Sequence, residues 1–200
     1  MRFPRLTALM HPVKRIRKSE SGSTALEFGV LAIPFFMIIV ATVETLVAFA
    51  GEQILVNAVD KMSRQLRTGE ITFNMGRTTD LTEAEFRELF CNEIKIVLSC
   101  SNSISSDQKL FIDLKNVVNY SDIDVGIPKV SSADYAELDT SGFEYSPGGS
   151  GSINVLRVYY KWDVTVDLIR PYITNIRPGA EGSEYYLMVA TTAFRNEGYP

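Results

Sequence analysis

The segment Ser21–Ala50, SGSTALEFGVLAIPFFMIIVATVETLVAFA, decides how the rest of the chain is read. From Phe28 to Ala50 it runs for 23 residues with a single charge, Glu44. At about 1.5 Å of rise per residue, a helix of that length crosses a hydrocarbon core roughly 30 Å thick. A second acid, Glu27, stands at its entrance. Pro34 lies inside, where its missing N–H leaves the carbonyl of Val30 without a helical donor and predicts a modest kink.

Charge sets the orientation of this segment. Arg2, Arg5, Lys14, Arg15, Arg17 and Lys18 precede it with no acid among them, whereas Lys61, Arg64 and Arg67 are the basic residues that come soon after it. The positive-inside tendency then keeps residues 1–22 in the cytoplasm, as a basic leader, and exports the chain beyond the span. Residues 1–22 take six basic residues and Glu20 with them, so the net charge falls from −4 for the whole chain to −9 for the remainder. Such an acidic balance argues against nucleic acid as a partner, since phosphate binding needs clustered Lys and Arg. The two cysteines, Cys91 and Cys100, both fall on the exported side. There a disulfide persists, and a Cys91–Cys100 bond is the favoured reading, with two buried thiols as the alternative.

Beyond the apolar segment, helical spacing continues. Ile54, Leu55, Ala58, Met62 and Leu66 recur on one face with Glu52, Asp60, Lys61 and Arg64 between them, and Gly69 supplies a stop. Residues 23–67 are therefore expected as one helix, on the order of 67 Å long, half in lipid and half packed on an exported domain of residues 68–200. A second helix is predicted from Thr82, whose hydroxyl and Glu85 form a capping box, with Phe86, Leu89, Phe90, Ile94 and Val97 on its apolar face. In an unbroken helix Cys91 and Cys100 would stand about 13.5 Å apart along the axis, so a bond between them requires the helix to end near Ser99 and the chain to fold back.

The second half of the chain reads as sheet. Leu110, Ile112 and Leu114 alternate with Phe111, Asp113 and Lys115. In LRVYYKWDVTVDL, Leu156 to Leu168, alternate residues predict a strand with one buried and one wet face. The stretch EYYLMVATTAF, residues 184–194, reads as a last strand buried on both faces, and SPGGSGS as a flexible loop. The expected class is α+β, a long membrane-spanning helix followed by a second helix and an antiparallel sheet.

Little enzymology is open to such a chain. Its one histidine, His11, lies in the leader, so the exported part has no imidazole base or ligand, and serine–histidine or cysteine–histidine nucleophiles are excluded. Two cysteines do not make a structural zinc site, and Asp122-Ile-Asp124-Val-Gly126 lacks the further ligands of a calcium loop. It reads as a solvated turn. Asp134 and Glu137 form the kind of carboxylate pair that any acidic surface carries. No cofactor and no metal is expected.

The specific chemistry lies in the anchor. Gly22-Ser23-Thr24-Ala25-Leu26-Glu27-Phe28 resembles the processing site of type IV prepilins, especially the small Flp class with its Gly-x-x-x-x-Glu-Tyr/Phe pattern. The resemblance implies cleavage after Gly22 by a prepilin peptidase, leaving Ser23 first and Glu27 fifth, followed by Phe28. A carboxylate at the bilayer edge is costly unless paired, and the freed amine of a neighbouring subunit is a suitable partner. The wider arrangement is similar to the TadE-like minor pseudopilins of tight-adherence (Tad/Flp) pilus systems: a basic leader, SGSTALEFGVLAIPF, Glu44, a helix ending in Arg67-Thr68-Gly69, the Cys91–Cys100 helix and the terminal ATTAFRNE. Its ending Gly198-Tyr199-Pro200 departs from the expected pattern, in which proline follows soon after FRNE. The resemblance implies a pilin-like fold, an inner-membrane location, and assembly with other pilin subunits and a membrane platform. Glu27, Phe28 and Glu44 are then the candidate assembly residues, Glu44 through a helix–helix contact. The alternative is a secreted or membrane-anchored binding or adaptor protein. A secreted form has a hook in Ala48-Phe49-Ala50, which fits the small-x-small rule for signal-peptidase cleavage before Gly51.

Overall fold

A computed structural model describes residues 20–100, 108–179 and 182–199, with side chains from Thr24 onward. The first element, α1, is a single helix over Glu20–Thr68 that runs through Pro34. It ends where the sequence demands: Gly69 adopts φ 77°, a left-handed conformation that residues with a Cβ rarely tolerate. The ring of Tyr199 also lies where a Cβ would be, 2.7 Å away. The described chain divides into two compact units between Val43 and Glu44, within this helix.

The unit from Glu44 onward is an α+β body. Helix α2 covers Glu83–Ile94 and starts with the predicted capping box: Glu85 accepts from the Thr82 N–H at 2.8 Å, while the Thr82 hydroxyl accepts from the Glu85 N–H at 3.4 Å. Strand β1 is Leu110–Val117, β2 Tyr145–Ser146, β3 Ile153–Asp163 and β4 Tyr185–Arg195, with a short helix α3 at Arg170–Ile173. Their order in the sheet is β2-β1-β3-β4. Pairing of β1 with β3 (Leu114 opposite Leu156) and of β3 with β4 (Val158 opposite Ala190) is antiparallel. The expectation of an antiparallel sheet is corrected at one edge. The two residues of β2 return after a long connection and join β1 in parallel, with Leu114 N–H donating to Glu144 O at 2.8 Å.

One sheet face carries the main core. Leu55, Ala58, Met62 and Leu66 of α1 and Phe86, Phe90 and Ile94 of α2 pack with Leu110, Leu114, Leu156, Val158, Tyr160 and Met188. The i, i+3, i+4 spacing read in the sequence is thus the buried stripe of α1, widened by Val59. In α2 the stripe is rotated from the expected one: Leu89 is exposed, and Cys91 and Arg87 are buried. Arg87 is accommodated because its Nη1 donates to Leu110 O at 2.9 Å, tying α2 to β1. Burial lowers its pKa, with Glu83 opposing.

The other sheet face is not wet, contrary to the alternation of β3. Leu138, Tyr159, Ile176, Tyr185 and Leu187 form a second, smaller cluster there. Irregular chain covers this face, and the polar ends of β3 are satisfied within it. Arg157 donates to the carbonyls of Gly126 and Asp124. Lys161 reaches Glu137 at 2.7 Å, and that carboxylate also accepts from Tyr185 Oη at 2.5 Å. The Asp122–Gly126 stretch is therefore a segment that Arg157 pins to the sheet, and Glu137 is an internal partner. The SPGGSGS loop is likewise held by polar bonds: Asn154, fully buried, accepts from Gly148 N–H at 2.7 Å, and Asn196 donates to Gly148 O and Gly149 O at 2.7 and 2.9 Å.

Two further boundaries differ from the sequence reading. Helix α2 stops at Ile94, earlier than Ser99, and the turn formed by Val97 N–H and Leu98 N–H on Ile94 O brings Cys100 back to Cys91. Their Cα atoms are 5.5 Å apart and the disulfide is formed. Strand β3 ends at Asp163, five residues before Leu168. The chain then turns sharply, with the N–H groups of Ile169 and Arg170 both donating to Val166 O at 3.1 Å.

Candidate functional site: the apolar helix and its carboxylates

The apolar part of α1 is exposed along its length. Leu26, Phe28, Leu31, Phe35, Ile38 and Val43 are each more than half exposed, and in its most apolar window no residue is buried. A helix that is hydrophobic all round and lacks protein cover is suited to lipid or to other helices. It is one helix long and apolar enough to cross a membrane. Gly22 and Ser23 are helical, whereas residues 1–19 of the leader, with His11, lie outside the described residues. Glu27 and Phe28 are both exposed, Phe28 to 71%.

Glu44 has a different setting. It is the first residue of the folded unit and is half-buried. Its carboxylate accepts two backbone hydrogen bonds from the turn after β3: Thr165 N–H donates to Oε1, and Val166 N–H to Oε2 at 3.0 Å. Two successive peptide N–H groups converging on one carboxylate make a local anion cradle, and they supply the partner that an acid near a membrane otherwise lacks. Within the chain itself, Glu44 thus has an intramolecular contact. Two turns further on, Glu52 accepts from Tyr186 Oη at 3.4 Å. Burial of Tyr186, aided by that carboxylate, raises the pKa of its hydroxyl.

Thr165 and Val166 act through their amides, so side-chain patterning hid them. The one available signal was Pro171, which has no N–H to donate to a strand ladder. The Ala48–Ala50 segment also gains a structural setting. Ala48 is buried, and a Cβ on Gly51 would meet Leu98 Cδ2 at 2.9 Å, so the peptide bond before Gly51 lies in helix packed on the domain. Among the described residues no group of three or more His, Cys, Asp or Glu side chains could hold a metal ion.

These features define a class: an α+β domain carried on one long helix whose first half is membrane-compatible and uncovered. The comparison with protein families narrows it. Residues 22–64 match the family described as TadE-like protein, and this segment is accordingly TadE-like. No curated protein and no solved structure matches the chain. The matched region holds Gly22, Glu27, Phe28 and Glu44 together with the first part of the stripe that packs on the sheet.

Proposed function

We propose that this chain is a minor pilin, or pseudopilin, that takes part in assembling a Tad-type (Flp) pilus for surface adherence. The observation that carries the reading is the TadE-like match over residues 22–64, which begins at the glycine of the processing motif. On this reading the N-terminal side of the helix is cytoplasmic and the domain periplasmic, with the helix anchored in the inner membrane. A prepilin peptidase cuts after Gly22. The new amine of Ser23 on one subunit and Glu27 of another pair at the membrane edge, which sets the axial register of packed helices. The uncovered apolar surface around Phe28 then serves twice, in lipid before assembly and against other pilin helices and the inner-membrane platform during it. The role is structural and needs no catalytic group.

Sequencing the N-terminus of protein recovered from membranes of the native host tests this. Ser23 is expected when the prepilin peptidase is present, and an intact leader when its gene is deleted. A mature terminus at Gly51, or a leader retained in the presence of the peptidase, would overturn the reading. Glu27→Ala is expected to leave cleavage and insertion unchanged and to reduce piliation; normal piliation in that variant would remove Glu27 from assembly.

A further inference from the structure

The sheet ends on β4, whose outer edge is capped at both ends and open between them. Odd-numbered residues of β4 turn their backbone groups away from β3. Tyr185 exchanges backbone bonds with Ile176 at 3.2 and 3.3 Å on that outer side, whereas Asn196 N–H donates inward to Ser152 O at 2.9 Å. Leu187 meets a side chain that imitates a strand: its N–H donates to Asn175 Oδ1 at 2.7 Å and its carbonyl accepts from Asn175 Nδ2 at 3.1 Å. At the far end Glu197 N–H donates to Arg67 O at 2.9 Å. Between these caps the outward N–H and C=O groups of Val189, Thr191, Ala193 and Arg195 have no hydrogen-bond partner among the described residues. They span about 20 Å.

An open edge is ordinarily blunted by charge, proline, a bulge or brevity, because it templates any extended chain. The opposite edge of the sheet follows that rule, since β2 is two residues long. The open stretch of β4 does not. Val189-Ala190-Thr191-Thr192-Ala193 carries no charge and no proline, and its register against β3 is continuous. Arg195 does not guard it, because its Nε donates to Gly151 O at 2.9 Å. Thr191 and Ala193 are exposed, and Val189 is half-buried at the margin of the second cluster.

We infer that the β4 edge from Val189 to Arg195 is a docking site for a short extended segment of another polypeptide, which adds to the sheet as a further strand. The chemistry of the occupant follows from the edge. Peptide N–H and C=O groups at strand spacing are matched along their length by another strand backbone, and the side chains set beside Thr191 and Ala193 are uncharged and small or β-branched. Its length follows from the caps, with room for about seven residues. The β4 strand of a second copy does not fit this window. Pairing the two strands with Val189 opposite Arg195 sets Leu187 opposite Glu197 by the same count, so the Asn175–Ile176 segment of each copy runs into the Arg67–Glu197 contact of the other. The site lies within the unit that begins at Glu44, and the inference is independent of the membrane anchor and of prepilin cleavage.

The test is photocrosslinking of the full chain in membranes of its native host, with benzoylphenylalanine placed in turn at Thr191, Ala193 and Val125. Val125 is 96% exposed on another part of the domain and serves as the control. Thr191 and Ala193 are expected to capture one short segment, at residues two apart within it and several-fold above its capture from Val125. Thr191→Pro removes an N–H that the fold does not use, as an edge strand tolerates. It is expected to leave the thermal midpoint nearly unchanged and to cut capture from Ala193 several-fold. Thr192→Pro, which removes a donor to β3, should lower that midpoint. Ala193→Lys leaves every backbone donor in place and is expected to cut capture from Thr191 several-fold; it decides the matter if Thr191→Pro unfolds the domain. No capture, capture scattered over unrelated residues, capture of a second copy of the chain, or capture that survives both substitutions would each overturn the inference. A segment captured in register from a protein outside the pilus machinery would support the inference and count against the pilus reading alone.

Discussion

Helix α1 has two halves made of the same kind of residue and put to opposite use. Upstream of Glu44 its apolar side chains point all round and are exposed; downstream, Leu55, Ala58, Met62 and Leu66 form a stripe sealed against α2 and the sheet. Composition alone does not distinguish a leucine such as Leu31 from one such as Leu55. Their neighbours do. Glu52, Asp60, Lys61 and Arg64 confine the downstream apolar residues to one face, whereas upstream the run Phe28–Val43 has no charge with which to define a face. A hydrophobic helix without a polar face has to find its cover outside its own chain.

The sharpest way to break this comparison is to make the same kind of truncation on both sides of Glu44. Leu55 is completely buried in the core, and Leu55→Ala is expected to cost about 2–5 kcal/mol, because it removes buried methyl groups and leaves a cavity that the sheet cannot close. For a domain of this size that lowers the thermal midpoint by roughly 5–15 °C. Phe36→Ala, 58% exposed before substitution, is expected to leave the midpoint unchanged. Thermal unfolding of the full chain in detergent micelles, followed by circular dichroism, checks both. A similar loss from the two variants would show that the upstream half is part of the cooperative fold.

A slightly smaller effect is expected where the downstream core is stapled. The Cys91–Cys100 bond closes the turn at the end of α2 and holds Leu98, itself fully buried, against Gly51 of α1. Replacing both cysteines by serine is expected to cost about 2–4 kcal/mol, mainly by freeing the unfolded chain. Adding reductant should reproduce most of that loss in the unsubstituted protein and do nothing to the double variant. Urea unfolding with and without reductant provides the measurement.

How much of this is legible in the sequence depends on which interactions have a period. The long helix, its stop at Gly69, the capping box of Thr82 and Glu85 and the buried stripe of α1 all depend on fixed spacings, and the residues alone show them. The two-sided burial of β3 is hidden, because Arg157, Tyr159 and Lys161 look like a wet face until Gly126, Glu137 and Leu138 are brought over them from distant, irregular chain. The parallel edge strand β2 is only two residues long and carries no periodic signal at all. In the candidate site, the positions of Glu27 and Glu44 are evident as charges in an apolar run, but the partner of Glu44 is not, since peptide N–H groups donate whatever their side chains are.

The finest probe of the downstream half is acid, applied to the loop that follows α1. Asp80 accepts from the Thr72 hydroxyl at 2.6 Å and from the N–H groups of Met75 and Arg77 at 2.8 and 3.0 Å, and Thr72 itself is buried. The Thr72 hydroxyl first, and then those backbone donors, hold the Asp80 carboxyl below its ordinary 3.8. The unfolded chain therefore takes up this proton at a higher pH than the folded one. The stabilisation by Asp80 is complete above pH 3.8 and is lost as the pH falls from there through the lower folded value. Glu85 contributes in the same sense, because the Thr82 N–H and then its hydroxyl lower the glutamate from 4.5. Amide exchange should accordingly show Thr72 and Leu81, whose N–H groups bond to Thr79 O and Thr72 O at 2.9 Å, opening with acid before the β3–β4 ladder does. Asp80→Asn should show that opening already at neutral pH, with a weaker dependence on acid. If the loop and the ladder open together at every pH, the loop is not a separate cooperative unit and the acid effect must be assigned to the domain as a whole.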